Sequence, residues 1–433
     1  MSEWNLAIVA AVLIAYAVIS GRLASTMISS AMAFVTAGVV LGPGVTGWFE
    51  AELNGELIRT IAEITLTFVL FADASRIDLR ALRRDYPLPG RLLAIGLPLT
   101  IVAGTLVGKL IWPDLPWIEA ALLAVILAPT DAALGQAVVT DRRLPQWVSQ
   151  GLNVESGLND GICVPLLFIL LATAEAEEGP MSGADALRVI VEEIGYGIVG
   201  GVVAASIGVA ALRWGMRSGW MTRQWRQVAG LATAGLAYGI AAPLGGSGFI
   251  AAFVGGLVVA VNSRVLGEGW STLLEGAGGF FDALTFFVFG AVVLGPVLDD
   301  IDWRAIAYAA ASLTVIRIVP VAISLIGSGA RWPTVGFVGW FGPRGLASIV
   351  FVVITASESS ILNARLIAIV STVTIAMSVY AHGTTAAPLS RRYRDWYREH
   401  PRRNSLKEDA EVAPHRWRWW THGRQEEVSP GSV

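Results

Sequence analysis

The chain is 433 residues long, 54% hydrophobic and only 15% charged, with a formal net charge of −3. A soluble domain carries about 25% charged residues, so the composition excludes one and predicts an integral membrane protein. The charge balance argues against nucleic acid as a partner, and one cysteine with four histidines excludes an internal disulfide, a haem, a cluster or a Cys/His zinc centre.

Apolar windows, each able to cross a hydrocarbon core roughly 30 Å thick as a helix, follow one another to residue 389. The first, Asn5 to Ser20, has neither a basic start nor a small-residue cleavage site behind it, so it is predicted as a span and not a signal peptide. Thirteen spans are predicted, at about 5–20, 27–41, 57–73, 88–108, 118–138, 147–173, 188–210, 228–242, 247–262, 273–296, 303–326, 334–356 and 363–387. Between the eighth and ninth, the run from Ala241 to Gly248 holds Pro243 and three glycines and reads as a tight turn.

An odd number of spans puts the termini on opposite sides. Loops on the side of Arg22 hold fourteen basic residues, including Arg76, Arg80, Arg83, Arg84 and Arg91, whereas the opposite loops and helix ends hold five: Arg59, Lys109, Arg188, Arg304 and Arg365. The positive-inside rule then makes the N-terminus external and the C-terminus cytoplasmic. The polar tail from Ser390 adds ten basic residues on the same cytoplasmic side. Its cluster His415 to Trp420 reads as a segment resting on the membrane surface through tryptophan and arginine. Residues 1–390 are thus a transmembrane domain and 391–433 a cytoplasmic tail.

The chemistry lies where charges enter the apolar windows. In span five, Asp131 follows eleven uncharged residues, Ala120 to Thr130. Pro129 removes an amide donor and clashes with the preceding turn, which interrupts the helix at Thr130 and Asp131. An interrupted helix at depth exposes backbone groups that are tolerated only beside a polar cavity. In span six, Glu155 and Asn159 are one turn apart on one helix face, with Ser156 and Asp160 on the adjacent face. Ser156 and Asp160 supply oxygen ligands, and Asn159 can donate a hydrogen bond that holds a carboxylate in position. A hard monovalent cation suits such a shell.

Two arginines, Arg317 in span eleven and Arg344 in span twelve, lie in no loop and need partners. Glu155 with Arg317 is the first choice, because a buried charge without its partner costs several kcal/mol; Arg344 is the alternative. Gly339, Gly342 and Pro343 break span twelve as Pro129 breaks span five. Paired broken spans in the two halves point to inverted repeats with a site between crossed helices. Asp73, at the cytoplasmic end of span three, is either a gate carboxylate or a helix-end residue beside Arg76. His382, near the cytoplasmic end of span thirteen, reads as packing.

Pro129-Thr130-Asp131, Glu155-Ser156-Gly157-Leu158-Asn159-Asp160 and Gly342-Pro343-Arg344-Gly345 together resemble the sodium/proton antiporters of the NhaP type, in the monovalent cation:proton antiporter superfamily, over roughly residues 5–390. The resemblance implies an all-α membrane fold of thirteen helices with inverted repeats, discontinuous spans five and twelve that cross, and a homodimer. It implies an ion-binding core mainly from spans 57–173 and 273–387, with the other spans as dimerisation scaffold. Asp160 then corresponds to the essential ion- and proton-binding carboxylate, with Asp131, Ser156 and Thr130 as further ligands and Asp73 as a further carboxylate. Asn159 is similar to the asparagine that marks electroneutral members, Glu155 and Arg317 to a pair bridging spans six and eleven, and Arg344 to part of the span-twelve motif. Two departures stand out: Ala132 replaces the proline that commonly follows this aspartate, and Asp73 stands where glutamate is frequent.

The implied function is exchange of Na+, and Li+ with it, for H+ across the cell inner membrane, serving pH homeostasis. The exchange is electroneutral at 1:1 if Glu155 stays paired with Arg317, and it needs no cofactor. There is no Gly-rich phosphate loop ending in Lys-Ser/Thr, which argues against a pump with its own ATPase. A K+/H+ antiporter of the same fold is the nearest rival; a cation channel needs a continuous path and a symmetric selectivity ring that is not evident, and a non-transporting membrane scaffold leaves the buried carboxylates without a use.

Overall fold

A computed structural model describes residues 3–23, 26–49, 56–77, 87–131, 134, 144–178, 183–266, 270–356 and 361–400. The expected cytoplasmic half of span five, from 132 to 138, lies outside the described residues apart from Leu134, and so does the cluster His415 to Trp420. Helix occupies each of the thirteen windows. The first three are Glu3–Leu23, Ser30–Leu41 and Glu56–Arg76; the fourth is Pro87–Arg91, which passes through a π-helical turn into Leu97–Ile111. Trp117–Ile126, Gln146–Glu178, Gly183–Arg217, Arg223–Ala241 and Gly248–Leu266 follow. Thr272–Val288 opens span ten, Trp303–Leu313 and Val315–Ser324 form span eleven, Trp332–Trp340 and Leu346–Ala356 form span twelve, and Ala364–Glu399 forms span thirteen. The result is an all-α, multi-span membrane fold.

Close approach of helix backbones organises the outer spans. A β-carbon at Gly38 would meet the Phe287 carbonyl and one at Gly290 the Val35 carbonyl, so spans two and ten pack backbone to backbone. Gly201 meets Ala251, and Gly256 meets Phe71 and Ala74, in the same way along the faces joining spans seven, nine and three. Lipid tails give helices no hydrophobic reason to associate, so small residues that let backbones touch do that work. Span one is the least embedded, with Trp4, Leu6, Ile14 and Val18 exposed.

Spans four, five, six, eleven, twelve and thirteen pack on one another, whereas three and ten lie chiefly against nine and two. Within the first group, Trp117–Ile126 and Leu346–Ala356 are too short to cross a bilayer alone. Every residue from Leu346 to Thr355 is buried, so protein and not lipid surrounds these half-helices.

Two elements differ from the sequence expectation. Span eleven is interrupted at Thr314 (φ −118°, ψ −91°), where a continuous helix was predicted. The Thr314 hydroxyl donates to the Ala310 carbonyl at 2.6 Å, a local bond of the kind that bends helices. Span thirteen runs on to Glu399, so the boundary set at 390/391 falls inside a helix. Its extension is held by the first half of span twelve, Trp332–Trp340: Tyr393 stacks on Phe337 with ring centroids 4.2 Å apart and its hydroxyl meets that of Thr334 at 3.0 Å. Arg331 lies 4.3 Å over the Trp396 ring and donates to the His400 carbonyl at 2.7 Å.

Candidate functional site

The helix of span five ends at Ile126, three residues before Pro129, and the chain from Leu127 to Asp131 is not helical. Span twelve opens likewise between Trp340 and Leu346. The two interruptions meet: the Asp131 amide donates to the Pro343 carbonyl at 2.7 Å. Each break thus satisfies a backbone group that the other leaves without a helical partner.

Both breaks carry counter-charges to the helix ends they create. Asp131 Oδ2 accepts the amide of Leu346 at 3.2 Å, at the positive N-terminus of Leu346–Ala356. Arg344 is fully buried, and its guanidinium points back at carbonyls, reaching Gly342 at 3.2 Å and Ala128 and Ser312 at 3.5 Å. Those carbonyls belong to the ends of the interrupted helices of spans twelve, five and eleven, where partial negative charge gathers. The glycines flanking Pro343 and Arg344 make room for charge. A β-carbon at Gly342 would lie 2.5 Å from Arg317 Nε, and one at Gly345 would overlap the Asp131 carboxylate.

Glu155 and Arg317 form a two-pronged ion pair, Nη1 to Oε1 at 2.7 Å and Nη2 to Oε2 at 2.8 Å, with both side chains 2% exposed. It joins span six to the second half of span eleven. Because the guanidinium also abuts Gly342, the pair sits against the break of span twelve.

Beside it, span six faces Thr130. The Ser156 hydroxyl donates to the Thr130 carbonyl at 2.5 Å, and Asn159 Nδ2 donates to the Thr130 hydroxyl at 2.7 Å. Asn159 therefore steadies a hydroxyl and not, as the sequence suggested, a carboxylate. The Oδ1 atoms of Asn159 and Asp160 are buried and accept no hydrogen bond among the described residues. An unpartnered carboxylate oxygen in the interior is costly unless a proton or a cation can occupy it.

Asp160 lies within electrostatic range of Asp131 and Asp73. Asp73 is about one-third exposed and pairs with Arg76 at 3.3 Å, while its β-carbon adjoins Gly157, one turn before Asp160. A fourth carboxylate, Asp282 of span ten, faces the same region and is within range of Asp131 and Asp73. It escaped the sequence reading although the rule that selected Asp131, a charge inside an apolar window, applies to it equally. His382 also has more than a packing role: its Nε2 lies 2.8 Å from the Trp340 carbonyl at the edge of the span-twelve break.

The arrangement offers hydroxyl, carbonyl and carboxylate oxygens at the meeting point of two broken helices. Such a set can exchange a monovalent cation for protons on the same atoms.

A family model described as "Sodium/hydrogen exchanger, transmembrane" matches residues 8–392. A probable Na+/H+ antiporter of Schizosaccharomyces pombe is 23% identical over 377 residues, covering 80% of this chain and 49% of that protein. The K+/H+ antiporter NhaP2 of Shewanella oneidensis is 26% identical over 250 residues, covering 55% of this chain and 41% of its own length. The chain thus spans about half the length of these curated relatives. Among solved structures, the sodium proton antiporter MjNhaP1 of Methanocaldococcus jannaschii shares the fold, with a TM-score of 0.73 at 20% identity, covering 90% of this chain and 98% of that one.

Proposed function

Because this chain belongs to the transmembrane sodium/hydrogen exchanger family, we propose that it is a secondary antiporter exchanging Na+, and Li+ with it, for H+ at a site centred on Asp160. The observation that carries the proposal is the buried, unpartnered Oδ1 of Asp160 beside the meeting breaks of spans five and twelve. A cation and a proton compete for that carboxylate, since each neutralises it and excludes the other. Asp131, Ser156 and Thr130 complete the oxygen shell, and Asp73 lies on its approach from the cytoplasm. No cofactor takes part.

Electroneutral 1:1 exchange follows from which charges have permanent partners. The charge of Glu155 is met by Arg317, and that of Asp131 faces the helix N-terminus at Leu346. Of the proposed ligand carboxylates, Asp160 is the one left to carry one cation or one proton per half-cycle. Alternating access moves a core of spans four to six and eleven to thirteen against the remaining spans; that three and ten lie chiefly against nine and two supports a core narrower than the windows 57–173 and 273–387. The scaffold pairs two copies into a homodimer. The protein lies in the cell inner membrane with the N-terminus outside and the C-terminus in the cytoplasm, and the exchange serves pH homeostasis.

Proton flux in proteoliposomes, measured with Na+, Li+ and K+ at several pH values, tests activity and ion choice together. Replacing Asp160 with Asn should abolish the cation-dependent flux; retained exchange moves the site elsewhere. An imposed membrane voltage should leave the rate unchanged, and a strong voltage dependence rules out 1:1 exchange. K+/H+ exchange is the second reading, favoured by the likeness to a protein named as a K+/H+ antiporter. A flux driven by K+ and not by Na+ selects it.

A further inference from the structure

Residues 341–345 belong to neither half-helix of span twelve, yet this link is held near both ends by one turn of span thirteen. At its start, the Trp340 carbonyl lies 2.8 Å from His382 Nε2 and also accepts the Gly342 amide at 2.9 Å. At its end, the Arg344 amide donates to the Ser378 hydroxyl at 2.6 Å. Ser378 and His382 are themselves joined, hydroxyl to Nδ1, at 3.1 Å, and Nδ1 also lies 3.0 Å from the Ser378 carbonyl. Both are buried, and the imidazole packs on the Trp340 indole with centroids 5.1 Å apart.

Of the two carbonyls facing the imidazole, that of Trp340 is the nearer, 2.8 Å from Nε2 against 3.0 Å from Nδ1 to Ser378, and this selects the tautomer with its proton on Nε2. With the proton on Nε2, His382 donates to the Trp340 carbonyl and its Nδ1 lone pair accepts the Ser378 hydroxyl, whose oxygen accepts the Arg344 amide. Each donor has one acceptor. A ring of similar size without nitrogen breaks the chain at two places and leaves buried polar groups unmatched, whereas glutamine can still donate to Trp340 and accept from Ser378.

We infer that His382 is a positioning residue for ion exchange: with Ser378 it fixes the span-twelve link, and through the link it aims the Arg344 guanidinium at Ala128 and Ser312 and the Leu346 amide at Asp131. The inference rests on the antiport reading above. His382 touches none of the proposed oxygen ligands, so its effect is on where they stand.

The test compares the wild type with His382→Gln, His382→Phe and Ser378→Ala in proteoliposomes, recording proton flux against Na+ concentration, with thermal unfolding of each protein in detergent. His382→Phe and Ser378→Ala should raise the apparent KM for Na+ about fivefold or more in the protein that remains folded, with a lowered unfolding temperature as the expected companion of unmatched buried groups. His382→Gln should restore KM to within about twofold of the wild type. Should His382→Phe not fold, Ser378→Ala decides alone. A wild-type KM in Ser378→Ala overturns the inference, as does a flux that falls only through its maximal rate at a wild-type KM, or a His382→Gln protein as impaired as His382→Phe. If the wild type shows no cation-dependent flux with any ion, the antiport reading falls first and this inference with it.

Discussion

Gly345 and Asp131 occupy adjoining space, so that a β-carbon on the glycine would overlap the carboxylate that caps the helix beginning at Leu346. The glycine's use is therefore spatial. Its neighbour in the motif, Gly342, stands in the same relation to the Arg317 guanidinium. The run Gly342-Pro343-Arg344-Gly345 brings one span's backbone against the charged side chains of two others.

Gly345→Ala should accordingly displace Asp131 from the Leu346 amide. Forcing a methyl group into packed space costs about 1–3 kcal/mol, and here the atom that must yield belongs to the proposed site. Cation-dependent proton flux should fall sharply while the protein still folds. A Gly345→Ala protein with wild-type flux would show that the Asp131 carboxylate can move without consequence. Gly336, whose β-carbon would meet nothing within 4 Å, is the control, and its alanine variant should transport normally.

The pair Glu155 and Arg317 predicts a pattern of stabilities. Removing one partner leaves a buried charge alone and should cost roughly 3–5 kcal/mol, so Glu155→Gln and Arg317→Ala should each unfold at markedly lower temperature in detergent. The double variant Glu155→Leu with Arg317→Met should be more stable than either single change, because no lone charge remains. Arg317→Lys should not rescue, since an ammonium cannot make two parallel bonds to one carboxylate. Equal stability of the single and double variants would contradict the isolation of the pair from water.

How far the sequence disclosed these relations depended on the kind of signal. Windows of apolar residues located all thirteen spans because the bilayer imposes both length and composition. Pro129 marked the break of span five, and Gly339, Gly342 and Pro343 that of span twelve. The break at Thr314 had no such marker: Pro320 lies six residues on, and a single threonine in a window is too common to read. The partner of Arg317 could be narrowed to a carboxylate by charge alone, but the carbonyl partners of Arg344 could not, because backbone groups leave no trace in residue identity. The link of His382 to Trp340 was hidden for that reason. Asp282 was legible and overlooked.

Asp282 supplies a third prediction. It is a carboxylate of span ten within range of Asp131 and Asp73, and span ten packs outside the proposed moving core. When ionised, it raises the local concentration of cations near the site without ligating them. Asp282→Asn should raise the apparent KM for Na+ by about threefold or more, since even a modest loss of attraction, about 0.7 kcal/mol, is worth that factor. The maximal rate should be preserved. A fall in maximal rate at constant KM would instead make Asp282 part of the exchange step.

The helical extension of span thirteen gives the last. Tyr393, Trp396 and His400 hold Thr334, Phe337 and Arg331, at the start of the first half of span twelve. That half-helix, Trp332–Trp340, is nine residues long. Too short to be stable alone, it depends on its neighbours for its place. Ending the chain after His400 keeps every one of these contacts, and ending it after Leu389 removes them all. The first truncation should therefore transport at the wild-type rate. The second should lower the unfolding temperature and the flux together, because losing a stacked tyrosine with its buried hydroxyl bond is worth several kcal/mol, about 3–5 on the scale of large core truncations. Arg331→Ala should reproduce part of the loss through its contacts with Trp396 and the His400 carbonyl. If ending the chain after Leu389 leaves both stability and flux intact, the extension is an accessory; if only the shorter chain fails, the functional end of the membrane domain lies near residue 400, beyond the point where hydropathy alone ends it.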